Sequence, residues 1–368
     1  MKLVFISLEF TAGTFSGNGV YAANQVRALA GLGHDVLVIA GKPPGHDKAP
    51  YASGACCILE VELPRWGRLD RPCAWQEFAA GAAELVQRMA SFGARAALGV
   101  DWTSLAPYQQ LADGLRRAGH SAPPYVFMNY RVHLRTAAEE DCAFIRSVEA
   151  EAATTAALMT VLSCSDAAYS LEHLAHPDRP ALRPQVLFPA LRMDLARIPL
   201  PADKDPLRFV EVVECLAAKG ALERLQVTPL LLGSAQTPYA HQLRERFRAA
   251  APGVRVEARF LGPDDMARIY AQTLLNLHPC LYDAFGMTVV EAASQGAPSV
   301  FNRGGAVGAG DLLSPARGEA IELDLAQPAG AIADELVGLL SDPASLATVA
   351  WLSSSGLSDV SITQHGWR

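Results

Sequence analysis

The sequence predicts an α/β protein of two doubly wound parallel-sheet domains, and three observations carry that expectation. The chain has 368 residues, half of them hydrophobic, which is more than one core of ordinary size absorbs. It opens as strand, glycine-bearing loop, helix and strand, the β-α-β start of a parallel sheet. The same alternation then runs on both sides of a proline-rich stretch.

The opening strand is the apolar run at residues 3–8, followed by a loop holding Gly13, Gly17 and Gly19. Val20, Ala23, Val26, Leu29 and Ala30 then recur at helical spacing until Gly31 and Gly33 stop them. A second strand follows at residues 35–40. Further units are a helix at 75–92, a strand at 96–100, a helix after Trp102 and a strand at 125–128. An alanine-rich helix at 148–158 leads into a strand at 159–164 and a helix starting at Ser165. Residues 184–206 contain Pro184, Pro189, Pro199, Pro201 and Pro206 with little periodicity, as a linker does. Beyond it come helices at 208–219, 239–250, 263–272, 287–295 and 329–340. Strands alternate with them at 228–232, 254–261, 274–278 and 299–302. The expected organisation is an N-terminal domain at 1–190, a linker at 191–206, a C-terminal domain at 207–350 and an irregular tail at 351–368.

Composition excludes several function classes. A net charge of −7 without a long basic block offers nothing to nucleic-acid phosphate. The seven cysteines include no C-x-x-C pair, so reduced thiols in a cytoplasmic setting are expected rather than a disulfide framework. The first apolar run is too short for a signal peptide and closes on Glu9. No stretch reaches the roughly 18 apolar residues of a membrane span, which leaves peripheral membrane contact as the expected limit.

The chemistry concentrates in residues 277–300, where a strand ends, a loop turns at Phe285-Gly286, and a helix begins. The first free amides of such a helix point into the crevice at the strand's carboxyl end, a setting that suits a diphosphate. Asp283 and Glu291 lie eight residues apart around that turn, so two carboxylates can address opposite ends of one ligand through its paired hydroxyls.

Asp283, Phe285-Gly286, Glu291-Ala292 and Gly296-Ala297-Pro298-Ser299-Val300 together resemble the donor motif of the GT4 family of retaining glycosyltransferases (the glycosyl transferase family 1 domain). Asp283 stands where that family usually has Glu. The resemblance implies a GT-B fold, two Rossmann-like doubly wound domains facing a cleft. It implies that Asp283 with the Phe285 and Gly286 amides holds the donor hexose. The Met287 and Thr288 amides would hold the phosphates, and Glu291 the ribose hydroxyls.

Ser16-Gly17-Asn18-Gly19-Val20 resembles the family's glycine loop, and Gly31-Leu32-Gly33-His34-Asp35-Val36 its approach to the second strand. Gly17 and Gly19 are therefore donor-side candidates. Gly99-Val100-Asp101-Trp102 resembles the family's aspartate-tryptophan turn, and Asp101 reads either as an acceptor-side residue or as a helix cap. Arg131 and His133 are candidates for acceptor or phosphate contact, with an ion pair and an ordinary loop histidine as the structural alternatives.

Two departures stand out. Family members open the second domain with a strand carrying Arg and then Lys, the cations that neutralise the leaving diphosphate. Here the linker passes straight to Ala202-Asp203-Lys204-Asp205-Pro206, so Lys204 stands for the family's Lys, and neither the strand nor the Arg precedes it. Asp203 and Asp205 form a D-x-D on a proline-bounded loop, which we read as coincidental. The tail also lacks the periodicity of the family's closing helix.

The expected activity is transfer of a hexose from a nucleoside-diphosphate sugar, such as UDP- or GDP-hexose, to an acceptor hydroxyl with retention. The acceptor is a sugar, lipid or small molecule, and no metal or other cofactor is required. The alternatives are a catalytically impaired binding protein on the same fold and a sugar-nucleotide epimerase.

Overall fold

A computed structural model describes residues 1–10, 17–44, 56–64, 74–174, 183–188, 205–233, 237–259, 261 and 263–359. The chain divides into two compact units, Met1–Ala190 and Leu191–Arg368.

In the first unit the elements are β1 (Lys2–Ser7), α1 (Gly17–Gly31), β2 (Asp35–Lys42), β3 (Cys56–Glu62), α2 (Ala74–Ala83), α3 (Val86–Phe92) and β4 (Ala96–Val100). They continue with α4 (Leu105–Arg117), β5 (Tyr125–Asn129), α5 (Cys142–Thr155), β6 (Leu158–Val161), α6 (Cys164–His173) and β7 (Gln185–Val186). The strands form one sheet in the order β3-β2-β1-β4-β5-β6-β7. Every pairing is parallel, with Val4 opposite Leu37 and Phe5 opposite Leu98. That order reverses direction between β1 and β4, the doubly wound pattern whose ligand crevice lies beyond the strands' carboxyl ends.

Leu3 to Ile6 are buried without alternation, as a central parallel strand covered on both faces requires. Val4, Ile6, Leu37, Ile39, Phe78, Leu111, Tyr125 and Phe127 share its core. α6 starts on the Ser163 hydroxyl, which accepts the Asp166 amide at 3.1 Å, a local signal readable in the sequence.

The second unit contains α7 (Pro206–Ala218), α8 (Ala221–Arg224), β8 (Leu230–Leu232), α9 (Pro238–Ala250), β9 (Arg255–Glu257), α10 (Pro263–Tyr270) and β10 (Asn276–Leu277). It ends with α11 (Met287–Ser294), β11 (Ser299–Asn302), β12 (Ile321–Leu323), α12 (Ala329–Leu340) and α13 (Pro343–Asp359). α7 and α9 each begin with Pro at the first helical position behind a capping side chain, Asp205 accepting the Arg208 amide and Thr237 the Ala240 amide. Asp205 is thus a helix cap.

Among the described residues the strands of this unit form two parallel sheets, β10-β11-β12 and β8-β9, with no strand joining β8 to β10. In the doubly wound order a unit's first strand separates its second from its fourth. The two sheets have the connectivity of the two flanks of that order. Val210, Val213, Phe247, Val300, Leu323 and Ile332 pack into a core beneath them.

Several expected elements differ. The helix expected at 75–92 is two helices, because the Glu84 and Leu85 amides reach back only three residues, to Gly81 and Ala82, and tighten the turn. α5 begins at Cys142 rather than 148. β9 keeps three residues of the expected 254–261. β3 was not expected: it is an edge strand with mostly half-buried side chains, which leaves little alternation to read. The tail expected to be irregular is helical to Asp359, and Ser353 in it is buried, its hydroxyl donating to the Glu319 carbonyl and at 2.7 Å to the Val349 carbonyl. No single helix among the described residues is long and apolar enough to cross a membrane. α12 with residues 343–355 of α13 meets that length and composition only as a pair bent by 88°.

Candidate functional site

In the second unit β10 delivers His278 to the carboxyl edge of the sheet, where its amide donates to the Val300 carbonyl at 2.8 Å. The loop that follows is clamped onto the segment after β11. The Asp283 amide donates to Ala306 O at 3.0 Å, Gly308 N donates to Asp283 O at 3.1 Å, and Ala309 N donates to Phe285 O at 2.5 Å. Gly286 then caps α11 with φ +87°. A Cβ there would lie 2.9 Å from Val307 Cγ1, so both the backbone and the space require glycine. Phe285, Val289 and Val290 are buried and anchor the helix start. Met287 and Thr288 occupy its first turn, where amides have no intrahelical acceptor and the helix dipole is positive.

The His278 ring organises the polar side chains. Its Nε2 lies 3.2 Å from Asp283 Oδ2 and 2.9 Å from Cys280 Sγ, while Nδ1 lies 3.0 Å from Thr288 Oγ1. Asp283 Oδ1 accepts the Phe285 amide at 3.3 Å. The Asp283 carboxylate and the Phe285 amide therefore meet each other, and the carboxylate also meets a histidine the sequence reading did not single out. Glu291 is half-buried one turn into α11. Burial raises the pKa of the Tyr270 phenol, and the Glu291 charge adds to that shift.

In the first unit Asp101 follows β4, is 1% exposed, and has φ +54°. A non-glycine residue in that region stores strain and persists where its surroundings over-determine it. Its Oδ2 accepts from Asn18 Nδ2 at 2.5 Å and lies 3.2 Å from His133 Nε2, and its Oδ1 accepts the Arg131 amide at 3.2 Å. The side chain makes no cap bond to the turn after it, which removes the helix-cap reading. Gly17 and Gly19 flank Asn18 in the first turn of α1 rather than lying in a loop. Arg131 donates from its guanidinium to Thr136 Oγ1 at 2.9 Å, and the Trp102 ring meets His133 edge-to-face with centroids 6.3 Å apart.

Beneath His133 lies Glu149, fully buried on α5. It accepts the His133 amide at 2.7 Å and the Leu134 amide at 3.3 Å. Burial pushes its carboxyl up to about 7, opposed by the His133 charge and these two amides and reinforced by Asp101. Helical spacing carried a signal for it: Ile145, Glu149, Ala152 and Ala153 are the buried stripe of α5, at i, i+4, i+7 and i+8. Asn18, His278 and Cys280 carried no comparable signal. Lys204 lies outside the described residues.

The comparisons with known proteins agree with this architecture. Residues 195–342 match the family model described as glycosyl transferases group 1. No curated protein matches the chain. Sucrose-phosphate synthase from Thermosynechococcus elongatus is similar in structure at 17% identity and a TM-score of 0.70, over 98% of this chain and 96% of that one. An alpha,alpha-trehalose-phosphate synthase (UDP-forming) from Burkholderia vietnamiensis is similar at 12% identity and a TM-score of 0.69, over 98% and 94%. The catalytic domain of starch synthase IV from Arabidopsis thaliana, bound to ADP and acarbose, is similar at 13% identity and a TM-score of 0.66, over 99% of each chain. The fold is GT-B. Residues 195–342 form a glycosyl transferases group 1 domain, the domain of a transferase enzyme.

Proposed function

We propose that the chain transfers a hexose from a nucleoside-diphosphate sugar to an acceptor hydroxyl with retention, as a cytoplasmic enzyme of the GT4 kind. The observation that carries this reading is the start of α11 at the carboxyl end of β10, with Asp283 in the loop before it and Glu291 one turn in. Supporting it, one similar structure is of a UDP-forming synthase and another holds ADP.

In this reading the Met287 and Thr288 amides and the dipole of α11 take the diphosphate, where they oppose the negative charge that develops as the glycosidic bond breaks. Glu291 accepts from the ribose hydroxyls. Asp283 takes hexose hydroxyls in place of its contact with His278. Lys204 is the proposed cation for the leaving diphosphate, and no cofactor enters the scheme. Asp101, Arg131 and His133 are proposed for the acceptor side, with the Asp101–His133 pair accepting and donating hydroxyl protons.

Titration of UDP, GDP, ADP and their hexose conjugates, followed by the anomeric configuration of any product, tests the proposal. Binding of one nucleotide sugar and a product of retained configuration are expected; an inverted product or no binding would refute it. A second reading, a binding protein with impaired turnover, is favoured by one observation: among the described residues the second unit's strands form two sheets rather than one continuous sheet.

A further inference from the structure

We propose that His278, Cys280 and Asp283 form a binding site for a zinc-class divalent metal ion. Their candidate ligand atoms, Nε2, Sγ and a carboxylate oxygen, all lie within 4.8 Å of one another. Nε2 is the centre of the group, 2.9 Å from Sγ and 3.2 Å from Oδ2. An ion bound at about 2.0 Å to nitrogen and 2.3 Å to sulfur in tetrahedral geometry separates those two atoms by about 3.5 Å, so the ligands need open by only about half an ångström.

Two of the ligands sit on backbone that is already fixed. The His278 amide is in the sheet ladder on Val300, and Asp283 is held from both sides by Ala306 and Gly308. The second imidazole nitrogen, Nδ1, faces Thr288 Oγ1 at 3.0 Å, the kind of outer partner that fixes the tautomer of a metal-bound histidine. Cys280 is fully buried, while Asp283 is the most exposed of the three, so the ion would approach from the Asp283 side. A mixed nitrogen, thiolate and carboxylate set selects zinc or cobalt over magnesium or calcium. Three protein ligands leave a fourth position for water. Binding displaces the Cys280 thiol proton to solvent and forms the metal–sulfur bond, with no change of oxidation state.

One consequence rests on the transferase reading: an ion that takes the Asp283 carboxylate removes it from the donor hexose, so metal should weaken hexose-nucleotide binding more than free nucleotide binding.

The test is cobalt(II) titration of the full chain after chelator treatment under reducing conditions. One equivalent should produce a thiolate-to-cobalt charge-transfer band, bleached by zinc and untouched by magnesium. Cys280→Ser, which conserves volume, and His278→Gln should each lower cobalt affinity at least about 100-fold. Thr288→Val should lower it about 10- to 100-fold, and Cys164→Ser, at an exposed position, should leave it unchanged. Melting curves of each variant separate a lost ligand from a lost fold. No band in the wild type, or the same band in a folded Cys280→Ser protein, overturns the site. The band is read without any nucleotide, so failure of donor binding would count against the transferase reading alone.

Discussion

Oδ2 of Asp101 lies 3.2 Å from Nε2 of His133, and the two carboxylate oxygens of Asp101 between them also hold the Asn18 side chain and the Arg131 amide. Two chain segments far from Asp101 in sequence, at Asn18 and at Arg131 to His133, therefore meet on one buried carboxylate. Asp101→Asn places an NH2 against at least one donor. It should cost about 1 to 3 kcal/mol, the range for leaving a buried polar group unsatisfied. Urea unfolding should show a lower midpoint at unchanged slope, and an unchanged midpoint would mean that the contacts contribute nothing net.

Glu149 gives a pH dependence with a definite sign. Its carboxyl is raised from 4.5 to about 7 in the folded chain, so the folded state binds the proton more tightly than the unfolded one. The stabilisation is complete below about 4.5 and is lost as pH rises through 7. Wild type should lose up to roughly 3 kcal/mol over that window relative to Glu149→Gln, whose side chain does not titrate. Parallel melting profiles from about pH 5 to about pH 8 in both proteins would contradict this.

Gly286→Ala should lower the melting temperature and weaken nucleotide binding together. The residue is at φ +87° with Val307 Cγ1 2.9 Å from the added Cβ, and strain of that kind costs about 1 to 3 kcal/mol. A variant with wild-type melting and binding would show that the turn shifts freely.

Among the described residues no strand pairs with the outer side of β10, which predicts uneven amide protection. The Asn276 amide donates to Pro298 O, just before β11, and the His278 amide to Val300 O within it, so the intervening Leu277 amide points to the other side of β10. By contrast Leu98 lies in β4 between two partner strands. Hydrogen exchange at Leu277 should be at least about tenfold faster than at Leu98, since local opening sets the rate where pairing is incomplete. Equal protection would show that the β10 edge is covered.

Much of the fold was legible because parallel strands buried on both faces read as plain apolar runs, as in Leu3 to Ile6 and Val36 to Ala40. β3 and β12 were not legible: one is a half-buried edge strand and the other spans three residues, too few for a period. At the site, Asp283, Gly286 and Glu291 announce themselves by spacing along one strand-loop-helix. What Asp283 touches does not, because His278 reaches it only through a loop that folds back on residues 306–309. Asp101 similarly reads in the sequence as either an acceptor-side residue or a cap, and only the fold brings Asn18 and Arg131 to it.

In the proposed function the start of α11 binds a nucleoside-diphosphate sugar with Glu291 on the ribose. Calorimetric titration of UDP-, GDP- and ADP-hexoses into wild type and Glu291→Gln measures it directly. Saturable binding of at least one donor is expected, weakened by roughly 1 to 3 kcal/mol in the variant, the range for losing a charge-assisted hydrogen bond. No binding of any nucleotide sugar, or equal affinity in the two proteins, would contradict it.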